Sequence, residues 1–266
     1  MLKILKVEWM KVKNYRTFWI LLGITAFSIP GISYMFYSLM NNSFPKGRRG
    51  AAALLGSPFA FPDIWQTATW NASLFFIIPA ILVITLTTNE FTYKTHRQNI
   101  IDGWSRGQFI GVKLFEILLL SLFMTLLVFL TALGFGYIGN KVPDGISIWT
   151  ESRFVIFYFV QVLTYTLIAF VLSMLIKRAG LAIGLYLLYL LVEQILVGIF
   201  RGYYKLRFAE YLPQETTDRL IPFPYAKGII PLDVWEKYIP SYLGVAALYV
   251  LIYCLLTSRY FTKKDL

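Results

Sequence analysis

The chain has 266 residues, of which 58% are hydrophobic, 18% aromatic and only 15% charged, and its mean hydropathy is +0.62. That much apolar surface argues against a soluble domain and makes an all-α polytopic membrane protein the default. The net charge of +11 fits basic residues gathered beside anionic lipid, and no basic face on a soluble fold points to nucleic acid.

Residues 1–16 carry Lys3, Lys6, Lys11, Lys13 and Arg16, with Leu2, Leu5, Trp9 and Val12 on one helical stripe. This predicts an interfacial amphipathic helix anchored to lipid headgroups by Lys3, Lys6, Trp9, Lys11, Lys13 and Arg16. A signal-peptide reading fails, because the apolar run that follows is too long and no small-residue cleavage site follows it.

Six apolar runs come next, at about 17–40, 68–88, 114–139, 154–176, 179–200 and 238–258. Each is long enough to cross a hydrocarbon core of roughly 30 Å at about 1.5 Å per residue. In lipid the backbone satisfies its own hydrogen bonds only as a helix in such runs. Pro30 and Pro79 are expected to bend the first and second spans. Six crossings place both termini on one side. With the N-terminus inside, 14 of the 25 Lys and Arg residues fall in the short inner segments, although Lys46, Arg48 and Arg49 lie outside; N-in/C-in follows. Lys177-Arg178 is then a minimal inner turn between antiparallel spans. Residues 41–67 form an outer loop, and 201–237, rich in proline and aromatic residues, are expected to fold into short helices on or in the outer leaflet. Pro231 and Asp233 mark one helix start.

Segment 89–113 lies between the second and third spans. The expectation is a surface helix somewhere in 92–101, then turn and stop signals from Asp102-Gly103, Gly107 and Gly111, then a lead-in to the third span. A solvated His96, the single histidine, leaves no site built on two histidines. The HExxH and GxSxG patterns are absent, and Gly107, Gly111 and Lys113 lack the spacing of a phosphate loop. The GxGxxG match at Gly134, Gly136 and Gly139 sits on a span with no preceding strand. Close helix packing explains it better, as it does Gly180 and Gly184. Cys254 is the one cysteine and has no partner within the chain.

Two acids fall in the apolar runs. A carboxylate in mid-membrane costs roughly 2.5–3.5 kcal/mol, so Glu193 must face protein or water. It either lines a translocation path, with Gln161 and Thr164, or bonds structurally to a neighbouring helix or to the loop after it. Glu116, close to Lys113, reads as an interfacial anchor.

The order of parts resembles the permease subunit of a type-2 ABC exporter, in which a basic amphipathic helix precedes six spans. In that family the inner segment between spans two and three is a coupling helix that docks on a separate ATPase. The matching residues here are Glu90, Thr95, Arg97, Asp102-Gly103, Ser105-Arg106 and Lys113, with a departure at Lys94, where the family commonly has glycine. The resemblance implies that Glu90, Phe91, Thr92, Tyr93, Lys94, Thr95, Arg97, Gln98, Asp102, Gly103 and Arg106 form the ATPase-coupling contact. It implies two ATPase subunits that bind ATP and Mg, no cofactor or metal on this chain, a second permease copy (identical or paralogous) and a bacterial inner-membrane location. No catalytic residue is expected. The alternative is an ATP-independent secondary transporter or channel working through Glu193.

Overall fold

The structure is a computed structural model and describes residues 2–43, 57–139, 147–226 and 235–263. Lys46, Arg48 and Arg49, and the helix start at Pro231 and Asp233, lie outside the described residues, as does the side chain of Lys3. The described residues are helical, without strands. In chain order they are α1 (Leu2–Lys13), α2 (Arg16–Ser43), α3 (Ile64–Ser73), α4 (Ile77–Thr92), α5 (Thr95–Ile101), α6 (Arg106–Ile138), α7 (Arg153–Ile176), α8 (Ala179–Val197), α9 (Pro213–Asp218) and α10 (Ile239–Lys263). A π-helical turn, Gly198–Tyr203, extends α8. A 3-10 turn, Arg207–Tyr211, leads into α9.

Five helices are long and apolar enough to cross a membrane: α2, α6, α7, α8 and α10. The consecutive pair α3 and α4 passes the same test jointly but is bent by 47°. The chain is therefore a multi-pass helical membrane protein. The bend falls at 74–76, just before Pro79. A proline ring clashes with the carbonyl four residues earlier, here that of Phe75. That carbonyl instead accepts from the backbone N–H of Ile78 at 3.0 Å. Pro30, by contrast, sits inside an uninterrupted α2.

Helix α7 is the axis of the bundle. In its most apolar stretch 61% of residues are buried, against 17–28% for the other four long helices. Its N-terminal half joins a core of Trp65, Ala68, Met124, Val128, Phe154 and Tyr158. Its C-terminal half packs Leu167, Phe170 and Met174 on Val83, Phe109 and Ile110. Lys177 ends α7 in the left-handed conformation (φ 56°), and α8 starts two residues later. Helix α9 packs against α7: Asp218 accepts from Gln161 and Tyr165 of α7 at 2.8 Å each.

Helix α6 starts at Arg106, earlier than the predicted 114. Gly107 and Gly111 are inside it and are not stop signals. The capping box of Ser105 and Gln108 starts the helix there, and burial of Phe109, Ile110 and Val112 holds its first turns. The expectation for the small residues divides. A Cβ on Gly136 would strike the Phe61 ring, and one on Gly139 would strike the Phe59 carbonyl. Among the described residues nothing lies within 4 Å of a Cβ at Gly134, Gly180 or Gly184, so these three do not mark close packing.

Gly139→Ala must move backbone and should cost on the order of 1–3 kcal/mol. Gly180→Ala should be neutral or slightly stabilising. Thermal unfolding of the two purified variants in one detergent measures the contrast.

Candidate functional site

The first part of the site is the corner between α1 and α2. The indole N–H of Trp19 donates to the Lys13 carbonyl at 2.8 Å, and Trp9 meets Trp19 edge to face at 6.3 Å. The corner folds α1 against the ends of α4 and α6, and this brings five charged groups together.

Lys113 of α6 is at the centre, 4% exposed. Its ammonium lies 2.6 Å from Glu8 of α1, 2.6 Å from Glu90 of α4 and 3.0 Å from Glu116 of α6. An ammonium has three donors, and here each has a carboxylate. Lys11 bonds the other oxygen of Glu8 at 2.6 Å and lies 3.6 Å from Glu90. It also donates to Asn99 of α5 at 3.3 Å. Glu8 and Glu90 are 2% and 6% exposed. Burying such charges is tolerable only because they are paired and hydrogen-bonded. Burial alone would raise the Glu8 carboxyl. The ammonium of Lys113 and the hydrogen bonds from Lys11 and Lys113 outweigh it and hold the group at about 2.

Helix α5 projects from this cluster. The chain breaks between α4 and α5 at Tyr93-Lys94, so the predicted 92–101 stretch is not one continuous helix. Lys94 is left-handed, with φ 55°, a conformation that glycine adopts without steric cost. The break lets the backbone reverse and places His96 Nδ1 2.8 Å from the Glu90 carbonyl. His96 is therefore a buried strut (5% exposed) and not a solvated side chain. At the other end Gly103 (φ 94°) turns the chain, and the Trp104 N–H returns to the Asn99 carbonyl at 3.0 Å. Lys177, in the turn between α7 and α8, lies over the Phe91 ring at 5.0 Å.

The predicted coupling residues thus divide. Glu90 and Phe91 form the root. Thr92 ends α4 and donates to the Thr88 carbonyl. Lys94, Asp102 and Gly103 shape the turns, and Arg106 is the first residue of α6. Thr95 opens α5. Tyr93, Arg97, Gln98 and Ile101 are exposed, Tyr93 by 73% and Ile101 by 78%. Lys6, Trp9 and Lys13 of α1 and Arg16 at the start of α2 are exposed, whereas Lys11 turns into the ionic cluster. Glu116 belongs to the same cluster and is not simply an interfacial anchor; a basic neighbour one helical turn back drew it in.

The three predicted path residues, Glu193, Gln161 and Thr164, are all buried. Glu193 is buried, and its Oε1 accepts the backbone N–H groups of Gln214 at 2.6 Å and Glu215 at 3.2 Å. It satisfies orphan donors at the start of α9. Gln161 bonds Asp218, and Thr164 bonds the carbonyl of Val160 in its own helix. Asp218 itself is pushed up to about 7 by burial, partly offset by hydrogen bonds from Gln161 and Tyr165.

Sequence reasoning missed Glu8, Asn99 and Asp218. Glu8 had a readable signal: it is the one acid in residues 1–16 and lies on the stripe with Leu5 and Val12. Asn99 and Asp218 had none, since their partners are remote in the chain.

The chain belongs to DUF2705, a family described as proteins of unknown function, which matches residues 23–266. No curated protein matches it. The family match begins after α1, so it takes in Glu90, Lys113 and Glu116 but neither Glu8 nor Lys11.

Lys113→Met leaves three carboxylates facing one another and should destabilise the protein by on the order of 3–5 kcal/mol. Glu8→Gln should release α1, read as faster tryptic cleavage at Lys11 and Lys13 with a smaller loss of thermal stability. Because the folded Glu8 value lies below the ordinary 4.5, its contribution is complete above about 4.5 and fades as pH falls through about 2. Lys94→Gly relieves a left-handed lysine and should stabilise by about 1 kcal/mol, seen as a higher midpoint in the same unfolding assay.

Proposed function

We propose that this chain is the membrane-spanning permease subunit of an ATP-driven type-2 ABC exporter of the bacterial inner membrane. On this reading the bent pair α3–α4 is one of six crossings, both termini are inside, and α5 is the coupling helix. The carrying observation is the way α5 is mounted. Arg97, Gln98 and Ile101 of α5, with Tyr93 just before it, are exposed, while its root is joined to α1, α4 and α6 through Lys113 and its three carboxylates.

A lever works only if its root is rigid. Separate ATPase subunits, two in the assembly, bind ATP and Mg and change their spacing. Force on α5 then moves α4 and α6 together, because the buried ion pairs resist separation of those helices. ATP shifts the two-state equilibrium through its different affinity for the two states of the ATPase pair. The path lies between this chain and a second permease copy. Exposed Tyr93 and Ile101 supply apolar contact to the partner, and Arg97 supplies charge.

The ATP-independent alternative would act through Glu193. That carboxylate is engaged by the first N–H groups of α9, which favours a structural role.

Arg97→Glu combined with Ile101→Asp should reduce co-purification of an ATPase subunit about tenfold, roughly 1.4 kcal/mol, without lowering the unfolding midpoint. A cysteine replacing Thr95 should resist impermeant thiol reagents applied to intact cells. Unchanged co-purification, or labelling from outside, would overturn the coupling assignment.

A further inference from the structure

A cavity of about 550 Å³ lies where α1, α2, α4 and α6 meet, within the roughly 300–1,000 Å³ range of small-molecule sites. Its body is apolar, with Leu82, Leu120 and Phe123 among its walls, and Trp9 and Trp19 line it from the α1–α2 corner. Its polar end is formed by Glu8, Lys113 and Glu116. The cavity is thus amphipathic along its length, with hydrocarbon surface on one side and charge at one end.

The charge at that end has a sign. Among the described residues three carboxylates, Glu8, Glu90 and Glu116, share two ammonium groups, Lys11 and Lys113. Lys113 has a carboxylate on every donor, so it has no further proton for an anionic head. One Glu90 oxygen is buried and has no hydrogen-bond partner. Glu116 is the carboxylate nearest solvent, with 23% of its side chain exposed. An anionic head would find no free donor on Lys113 at this end, whereas a cationic head can donate to Glu116.

We propose that this cavity binds a single-chain cationic amphiphile, with its ammonium against Glu116 and its alkyl chain along Leu82, Leu120 and Phe123. Leu119 lines the cavity and is half exposed, which marks the side from which the alkyl chain would enter. Binding here requires no ATPase partner, so this assignment and the coupling assignment fail independently.

The test uses the full chain in phosphatidylcholine nanodiscs and labelled dodecylamine, protonated at neutral pH. Saturable binding is expected, with competition by dodecyltrimethylammonium and none by dodecyl sulfate. Glu116→Gln should weaken it about tenfold. Leu119→Trp, a change at the mouth that leaves the core untouched, should abolish it while keeping the wild-type unfolding midpoint; Glu116→Gln, which removes one partner of Lys113, is assayed below its own midpoint. Equal competition by the sulfate, or an unaltered affinity in Glu116→Gln, would overturn the proposal. So would a tenfold loss of binding when phosphatidylethanolamine is added, which would assign the cavity to bilayer headgroups.

Discussion

One ammonium group holds one end of this protein together. Lys113 lies where α1, α4 and α6 converge, and its three N–H donors reach a carboxylate on each of them. In a bilayer, helices gain little by exchanging lipid contacts for one another, because lipid tails are as apolar as leucine. Directional contacts must then fix which helices meet and in which register. An ion cluster does so strongly, since separating its members would leave charge unpaired in a poorly hydrated place.

The opposite end uses neutral and charged hydrogen bonds for the same purpose. The short α9 is held by Glu193 at its start and by Gln161 and Tyr165 at its end. Arg219, just beyond it, pairs with Glu215 at 2.7 Å and approaches Glu210 at 3.6 Å, and Tyr242 of α10 donates to Glu210 at 3.0 Å. Between the two polar ends α7 supplies an apolar axis. The described residues are joined by polar contacts at both ends and packed by van der Waals contact in the middle.

The two polar ends differ in what they leave outside. At the α9 end Glu193, Gln161 and Gln214 are buried, while Arg201, Lys205 and Arg207 are exposed. The Lys113 end carries α5 and the break before it, where Ile101 and Tyr93 are among the most exposed large hydrophobic side chains of the described residues. The coupling role proposed for α5 rests on this combination of a buried ionic root and an exposed tip.

Much of the architecture was legible in the chain itself. Runs of about twenty apolar residues can only be helices in a membrane, because hydrogen-bonding partners for an open backbone are absent there. The all-α class, the helices near 17–40, 154–176, 179–200 and 238–258, and the tight turn at Lys177-Arg178 follow from that constraint. What required tertiary structure was the pairing of groups distant in sequence. The bend ahead of Pro79 was signalled by the proline itself, whereas the helical start at Arg106 and the buried state of His96 depend on geometry that composition does not encode. The union of Glu8, Glu90, Lys113 and Glu116 depends on the fold of α1 across α4 and α6. Hydrophobicity is a property of a segment and can be read along it; a charge cluster is a property of a place in space, and only the folded chain puts its members there.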